Sequence, residues 1–305
     1  MPAYRFFQLD VFTDRRLAGN PLAVFADAHG LEPDRMQALA REMNLSETTF
    51  VTESKRATRR VRFFTPTAEI PLAGHPTIGT WWVLAELGQL DLPASGTLRV
   101  TQETGRGILP VEIVSAGGVP TLVWMTQAPP DFGAEVHDRT TLATVLGGEA
   151  DAMLPKPTPR VVSTALPQLM VPMRSLEALR ALPSGGTGGE LATFLRTLGT
   201  DCAMCYSTET ESPDATVHCR MFAPGLGVPE DPATGSAAGA LGCYLVRSGG
   251  IPPSDGIARI VVEQGLEIGR PSRIDVEITV SATDEITQVR VGGCAVTVIE
   301  GEVRL

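Results

Sequence analysis

The sequence predicts an α+β protein built from two related lobes, and three observations carry that prediction. The first is an internal repeat. Residues 219–245 run from a short apolar strand (Met221, Phe222) through a Gly- and Pro-rich loop into a helix of small residues at 237–245. Residues 62–84 run the same way: Phe64-x-Pro66 matches Phe222-x-Pro224, and Ile70-Pro71 matches Val228-Pro229. After three extra residues in the second copy, Gly74-His75 matches Gly235-Ser236. A fainter parallel links residues 19–25 and Leu31-Glu32 with residues 165–171 and Leu176-Glu177. Self-similarity over so long a period means one fold unit used twice. The second observation is size: 305 residues, 43% hydrophobic, are enough for two separate cores. The third is composition: 31 Gly and 24 Pro with only 5% aromatics suit many short strands joined by tight turns.

Taken in order, residues 4–12 read as a strand, Gly19-Asn20-Pro21 as a turn and residues 22–25 as a second strand. Residues 34–43 have helical spacing through Met36, Leu39, Ala40 and Met43, ended by Asn44-Leu45-Ser46. Residues 47–52 are β-branched and aromatic and read as a strand with Glu47 at its start. Residues 61–65 pair beside it. The apolar helix of the first lobe covers 78–87 and stops at Gly88. Strands follow at 97–101, 108–114 and 121–127, separated by turns at Gly105-Arg-Gly107 and Gly117-Gly118. Composition shifts near Pro129-Pro130, so the first lobe is placed at 1–125 and the second at 126–291, with 292–305 returning to the first. In the second lobe, helices are expected at 140–146, 176–182 and 190–198. Strands are expected at 161–164, 168–171, 201–206, 257–264, 273–280, 288–291 and 295–304. Residues 184–189, Ser-Gly-Gly-Thr-Gly-Gly, read as a flexible surface loop.

Charge excludes some function classes. The net charge of −10 disfavours nucleic acid and anionic membranes as partners, and it requires local compensation for an acidic substrate. No apolar run approaches spanning length and the first ten residues are not a signal peptide, so the expected location is cytoplasmic. Five cysteines without regular spacing indicate no disulfide framework, and Cys202-Ala-Met-Cys205 reads as two buried thiols. No metal-ligand set, Walker loop, dinucleotide fingerprint or Gly-x-Ser-x-Gly turn is present, and no cofactor or metal is expected.

The repeated helix starts are where chemistry is expected. Unpaired N–H groups there carry partial positive charge and suit an anion. Gly74 and Gly235 let a ligand approach the amides, and Ser236 adds a hydroxyl donor. Glu47 begins an apolar β segment; a carboxylate against apolar walls has a raised pKa and can both take and give a proton. On position alone, a solvent-facing strand-edge residue is the favoured reading. His75, between Gly74 and Pro76, could orient or protonate a polar group, or simply lead the chain into the helix. Asp231-Pro232 could cap the second helix or supply a second carboxylate that holds a substrate amine or His75. The expectation is that the two helix starts face each other across a cleft.

The motifs Gly19-Asn-Pro-Leu-Ala-Val-Phe25, Asn44-Leu-Ser-Glu-Thr-Thr-Phe50, Phe64-Thr-Pro-Thr-Ala-Glu-Ile-Pro-Leu-Ala-Gly-His-Pro-Thr77 and Glu230-Asp-Pro-Ala-Thr-Gly-Ser-Ala237 together resemble the phenazine-biosynthesis isomerase-like family. They occur in family order along nearly the whole chain. The resemblance implies the diaminopimelate epimerase fold: two pseudo-symmetric lobes, each a mostly antiparallel β-roll around a central helix. It implies Glu47 as catalytic acid/base, His75 and Asp231 as polar site residues, and Gly74, Gly235 and Ser236 as holders of a substrate carboxylate. It also implies a homodimer, a small unsaturated acid as substrate (the family's named one is a dihydro-hydroxyanthranilate) and no cofactor. The related epimerases and proline racemases use two cysteines at the helix starts; here the nearest, Cys219 and Cys243, lie elsewhere. A metabolite-binding protein without turnover and an amino-acid racemase or epimerase are the rival readings.

Overall fold

The computed structural model describes residues 2–305. Its backbone divides into two compact units: one runs to Thr126 and takes in Gly292–Leu305, and the other is Gln127–Val291.

In the first unit, β1 (Ala3–Val11) pairs antiparallel with β2 (Asn20–Phe25) on one side and with the closing strand Ala295–Arg304 on the other. After α1 (Pro33–Met43), β3 (Thr48–Thr52) returns parallel to β2. Next, β4 (Arg59–Phe64) pairs antiparallel with β3 and with the two-residue β5 (Glu69–Ile70). The chain then forms α2 (Gly74–Glu86), and β6 (Ser95–Thr104) joins β4 in parallel. Finally β7 (Gly107–Ala116) and β8 (Val119–Gln127) add two antiparallel hairpins. One core lies under α1, where the i, i+3, i+4 set Met36, Leu39 and Ala40 meets Phe25, Phe50 and Phe64. The other surrounds α2, in which every residue from His75 to Ala85 is buried. A helix without a polar face has no solvent side, and this one is enclosed accordingly.

The second unit holds β9 (Asp131–Glu135), α3 (Arg139–Leu146), β10 (Arg160–Ser163), β11 (Pro167–Pro172), α4 (Leu176–Arg180) and α5 (Gly189–Thr197). It continues with β12 (Ala203–Ser207), β13 (Val217–Ala223), β14 (Val228–Asp231), α6 (Gly235–Arg247), β15 (Ile257–Gln264), β16 (Ser272–Val280) and β17 (Ile286–Gly293). Its hydrogen-bond order repeats that of the first unit. β11 and β12 are parallel, β12 and β13 antiparallel, β13 and β14 antiparallel, β13 and β15 parallel, and β15 and β16 antiparallel. These match β2 to β7 pair for pair, so the duplication extends well beyond the repeated motif. α6 is buried from Ala237 to Leu245 and corresponds to α2.

Three expectations are corrected. Pro21 lies inside β2, not in a turn before it. α2 begins at Gly74, four residues before its apolar run becomes periodic. Residues 184–189 are anchored, because the backbone N–H and hydroxyl of Thr187 both donate to the Val145 carbonyl at 3.0 and 2.8 Å.

Candidate active site

Among the helices, α3 and α4 start on conventional caps: Asp138 accepts from the Thr141 N–H and Ser175 from the Ala178 N–H. α2 and α6 do not. Ala73 has no side chain that could cap, and the Thr234 hydroxyl bonds to none of the first-turn amides of α6. Two buried helices of the molecule therefore begin without side-chain caps, at the ends that carry positive partial charge.

The first-unit site is assembled by packing on α2. A Cβ on Gly79 would stand 2.6 Å from Leu22 Cδ2 and 2.7 Å from Val11 Cγ2, so the helix lies directly on β1 and β2. Thr80 and Thr49 share a hydrogen bond of 2.8 Å that ties α2 to β3. Trp81 Nε1 donates to Gln102 Oε1 at 3.0 Å, and Gln102 Nε2 lies 3.4 Å from Thr77 Oγ1 in the first turn. With helix and strand so fixed, Glu47, the residue just before β3, meets His75, the second residue of α2. Glu47 Oε2 lies 3.5 Å from His75 Nε2. The His75 side chain is 9% exposed and that of Glu47 20%. Glu47 Oε2 itself is buried and has no hydrogen-bond partner. Burial pushes the Glu47 carboxyl above the ordinary carboxylate value, and the hydrogen bond with Ser46 offsets part of that rise. Ser46 Oγ in turn reaches Asn20 Oδ1 at 3.5 Å, which connects the site to the Gly19-Asn20-Pro21 corner.

In the second unit Asp231 ends β14 and the cap position belongs to Thr234, which corrects Asp231 as a helix cap. The Thr234 hydroxyl donates to Asp231 Oδ2. Gly235 is buried, and its carbonyl accepts from Gln127 Nε2 at 3.0 Å. Thr164 Oγ1 donates to Gln127 Oε1 at 2.6 Å, while Gln168 Nε2 donates to Ser236 Oγ at 3.3 Å. The predicted residues thus fall into two sets: Glu47, Gly74 and His75 at the start of α2, and Asp231, Gly235 and Ser236 at the start of α6. Sequence reasoning missed the buried amides Gln102, Gln168 and Gln264 and the half-buried Gln127. The signal available was a polar residue interrupting or ending an apolar strand.

The thiols are placed for packing. Cys202, Cys205, Cys219 and Cys243 are buried and free. Burial pushes Cys202, Cys205 and Cys243 up to about 12 and holds Cys219 well above the ordinary thiol value. None is poised to carry protons near neutral pH. Among the described residues no His/Cys/Asp/Glu group has metal-site geometry, and no helix is long and apolar enough to cross a membrane.

Comparison with known proteins agrees with this architecture. The family described as phenazine biosynthesis-like protein matches residues 9–301. An uncharacterized isomerase of Clostridium acetobutylicum is 36% identical, covering 99% of this chain and 98% of its own. The trans-2,3-dihydro-3-hydroxyanthranilate isomerase of Pseudomonas aeruginosa is 33% identical, covering 99% of this chain and 100% of its own. The crystal structure of a Bacillus anthracis phenazine biosynthesis protein of the PhzF family superposes with a TM-score of 0.91 at 31% identity, covering 100% of both chains. With a duplicated α+β fold, two uncapped buried helices and similarity along its whole length, the chain belongs to the phenazine biosynthesis-like family of isomerases.

Proposed function

We propose that the protein moves one hydrogen between two carbons of a small unsaturated carboxylic acid, with Glu47 as the single acid/base. One observation carries this reading: Glu47 Oε2 is buried without a hydrogen-bond partner, 3.5 Å from His75 Nε2, beside the uncapped start of α2. A carboxyl group so placed holds a proton more tightly than in water, which suits a group that must take a proton and give it back.

In this reading the Glu47 carboxylate removes a proton from carbon. The electron pair left behind spreads over the adjacent double bond. Glu47, now a carboxylic acid, delivers the proton to a different carbon and is a carboxylate again. The substrate serves as its own electron sink, so the step balances without a cofactor. His75 orients or protonates a polar group of the substrate. Gly74, Gly235 and Ser236 are assigned its carboxylate, and Asp231 a substrate amine or His75. The raised thiols weigh against two-cysteine racemisation. The family resemblance further carries a homodimer, which light scattering tests against the monomer mass of 32.4 kDa.

The first compound to try is trans-2,3-dihydro-3-hydroxyanthranilate, the acid in the name of the Pseudomonas aeruginosa relative. Related acids and free amino acids are tried alongside it in deuterium oxide, followed by NMR. Deuterium appearing together with double-bond migration is the expected result. Exchange confined to one chiral α-carbon would make the protein a racemase, and binding without exchange would make it a binding protein.

A further inference from the structure

Asp231 and Thr234 flank the turn that leads into α6, and the bonds around that turn run in one direction. Thr234 Oγ1 donates to Asp231 Oδ2 and lies 3.1 Å from Gln264 Nε2, from which it accepts. The orientation of the Gln264 amide is set by its other contacts: Nε2 donates to the Asp231 carbonyl at 2.7 Å, and Oε1 accepts the Thr234 N–H at 3.3 Å. A hydroxyl that accepts from an amide has its single proton left for the carboxylate. Gln264 is fully buried, so these bonds do not compete with bulk water.

The turn is held on both sides. Ser272 Oγ lies 2.8 Å from the Pro232 carbonyl and 2.9 Å from that of Gln264. Gly265 has a φ of +80°, and a Cβ there would come within 2.6 Å of the Pro232 carbonyl. Glu230, just before Asp231, is gripped on both oxygens by the buried Arg220 guanidinium at 2.9 and 2.7 Å. Threonine at a helix cap ordinarily accepts a first-turn N–H. Here its hydroxyl is drawn to Asp231 and Gln264, and that cap bond is missing. The first unit uses a related arrangement. Gln102 on β6, the strand matching β15, is buried and reaches the Thr77 hydroxyl in the first turn of α2.

We infer that Gln264 and Thr234 are positioning residues: together they aim the Asp231 carboxylate and leave the start of α6 uncapped for the substrate. The inference rests on the assignment of Asp231 to substrate contact made above.

Protein labelled with carbon-13 at the aspartate carboxyls tests it, the Asp231 signal being identified by its loss in Asp231→Asn. In Thr234→Val the carboxylate loses a donor, so the Asp231 signal titrates at higher pH than in the native chain. Thr234→Ser keeps the hydroxyl and titrates with the native chain. Gln264→Met shifts the signal the same way by a smaller amount, and it serves in place of Thr234→Val if that variant does not fold. With the substrate found as above, Thr234→Val loses about tenfold in kcat while KM stays within about twofold. An Asp231 titration unmoved in both Thr234→Val and Gln264→Met, or moved equally in Thr234→Ser, overturns the relay. Because the titration needs no substrate, a protein that exchanges no substrate hydrogen yet shows the Thr234→Val shift loses the proposed reaction and keeps the relay.

Discussion

Glu47 combines properties that a structural carboxylate would avoid. One oxygen is buried without a hydrogen bond, and burial holds its pKa above the ordinary value of 4.5. The folded chain therefore keeps this proton to higher pH than the unfolded chain does. Between 4.5 and the raised folded value, the folded state binds more protons, so stability falls as pH rises through that window. Above the unfolded value the raised pKa is a stability cost that function tolerates. Glu47→Gln removes the charge while keeping the shape. Its unfolding free energy in urea should exceed that of the native chain at pH 7, and the gain should vanish below pH 4.5. A variant less stable than the native chain at pH 7 contradicts this account of the site. Glu47 and His75 were legible in the sequence because each is a titratable residue in a distinctive setting, one before a β-branched run and one between Gly and Pro. Gln264 was not: it ends an apolar strand, and the residues it bonds lie about thirty positions upstream. His218 was passed over for the same reason. It is fully buried between Glu263 and Glu267 at 2.7 and 2.8 Å, carboxylates 45 and 49 residues away.

At the scale of an element, α2 sets the distance between Glu47 and His75, and Gly79 sets the position of α2. Gly79→Ala gains about 1 kcal/mol in helix propensity. The added methyl meets Leu22 and Val11, both fully buried, and Val11 is β-branched and stiff at χ1. Overpacking of that kind costs about 1–3 kcal/mol. Packing therefore outweighs propensity, and thermal or urea unfolding should show a net loss of about 1 kcal/mol. Activity should fall further than stability does, on the order of tenfold to a hundredfold, because a small displacement of α2 moves His75 relative to Glu47. Unchanged stability and activity would show that α2 has slack on β1 and β2. The start of α2 was misplaced in the sequence because Gly74, Pro76 and Thr77 are poor helix formers. Burial of Pro76 and Thr77 holds the first turn helical despite that propensity. β5 and β14, two and four residues long, carry too few positions for alternation to show.

Across the whole molecule, the repeat legible in residues 62–84 and 219–245 was the visible part of a deeper one. Six strands in each unit share the same order of parallel and antiparallel pairing. Little sequence similarity survives between those strands, because pairing order constrains backbone direction and face but leaves side-chain identity open. What persisted in the residues is confined to the helix-start stretch: the glycine at each helix start and the Phe-x-Pro at the end of the strand before it. The account's central claim is that one carboxyl group, Glu47, carries the migrating hydrogen. Turnover of the acid identified in deuterium oxide tests it most directly, compared between the native chain and folded, ligand-binding Glu47→Gln. Loss on the order of 100- to 10,000-fold is predicted for the removal of a sole acid/base. Turnover by Glu47→Gln at a rate comparable to the native chain would contradict the claim.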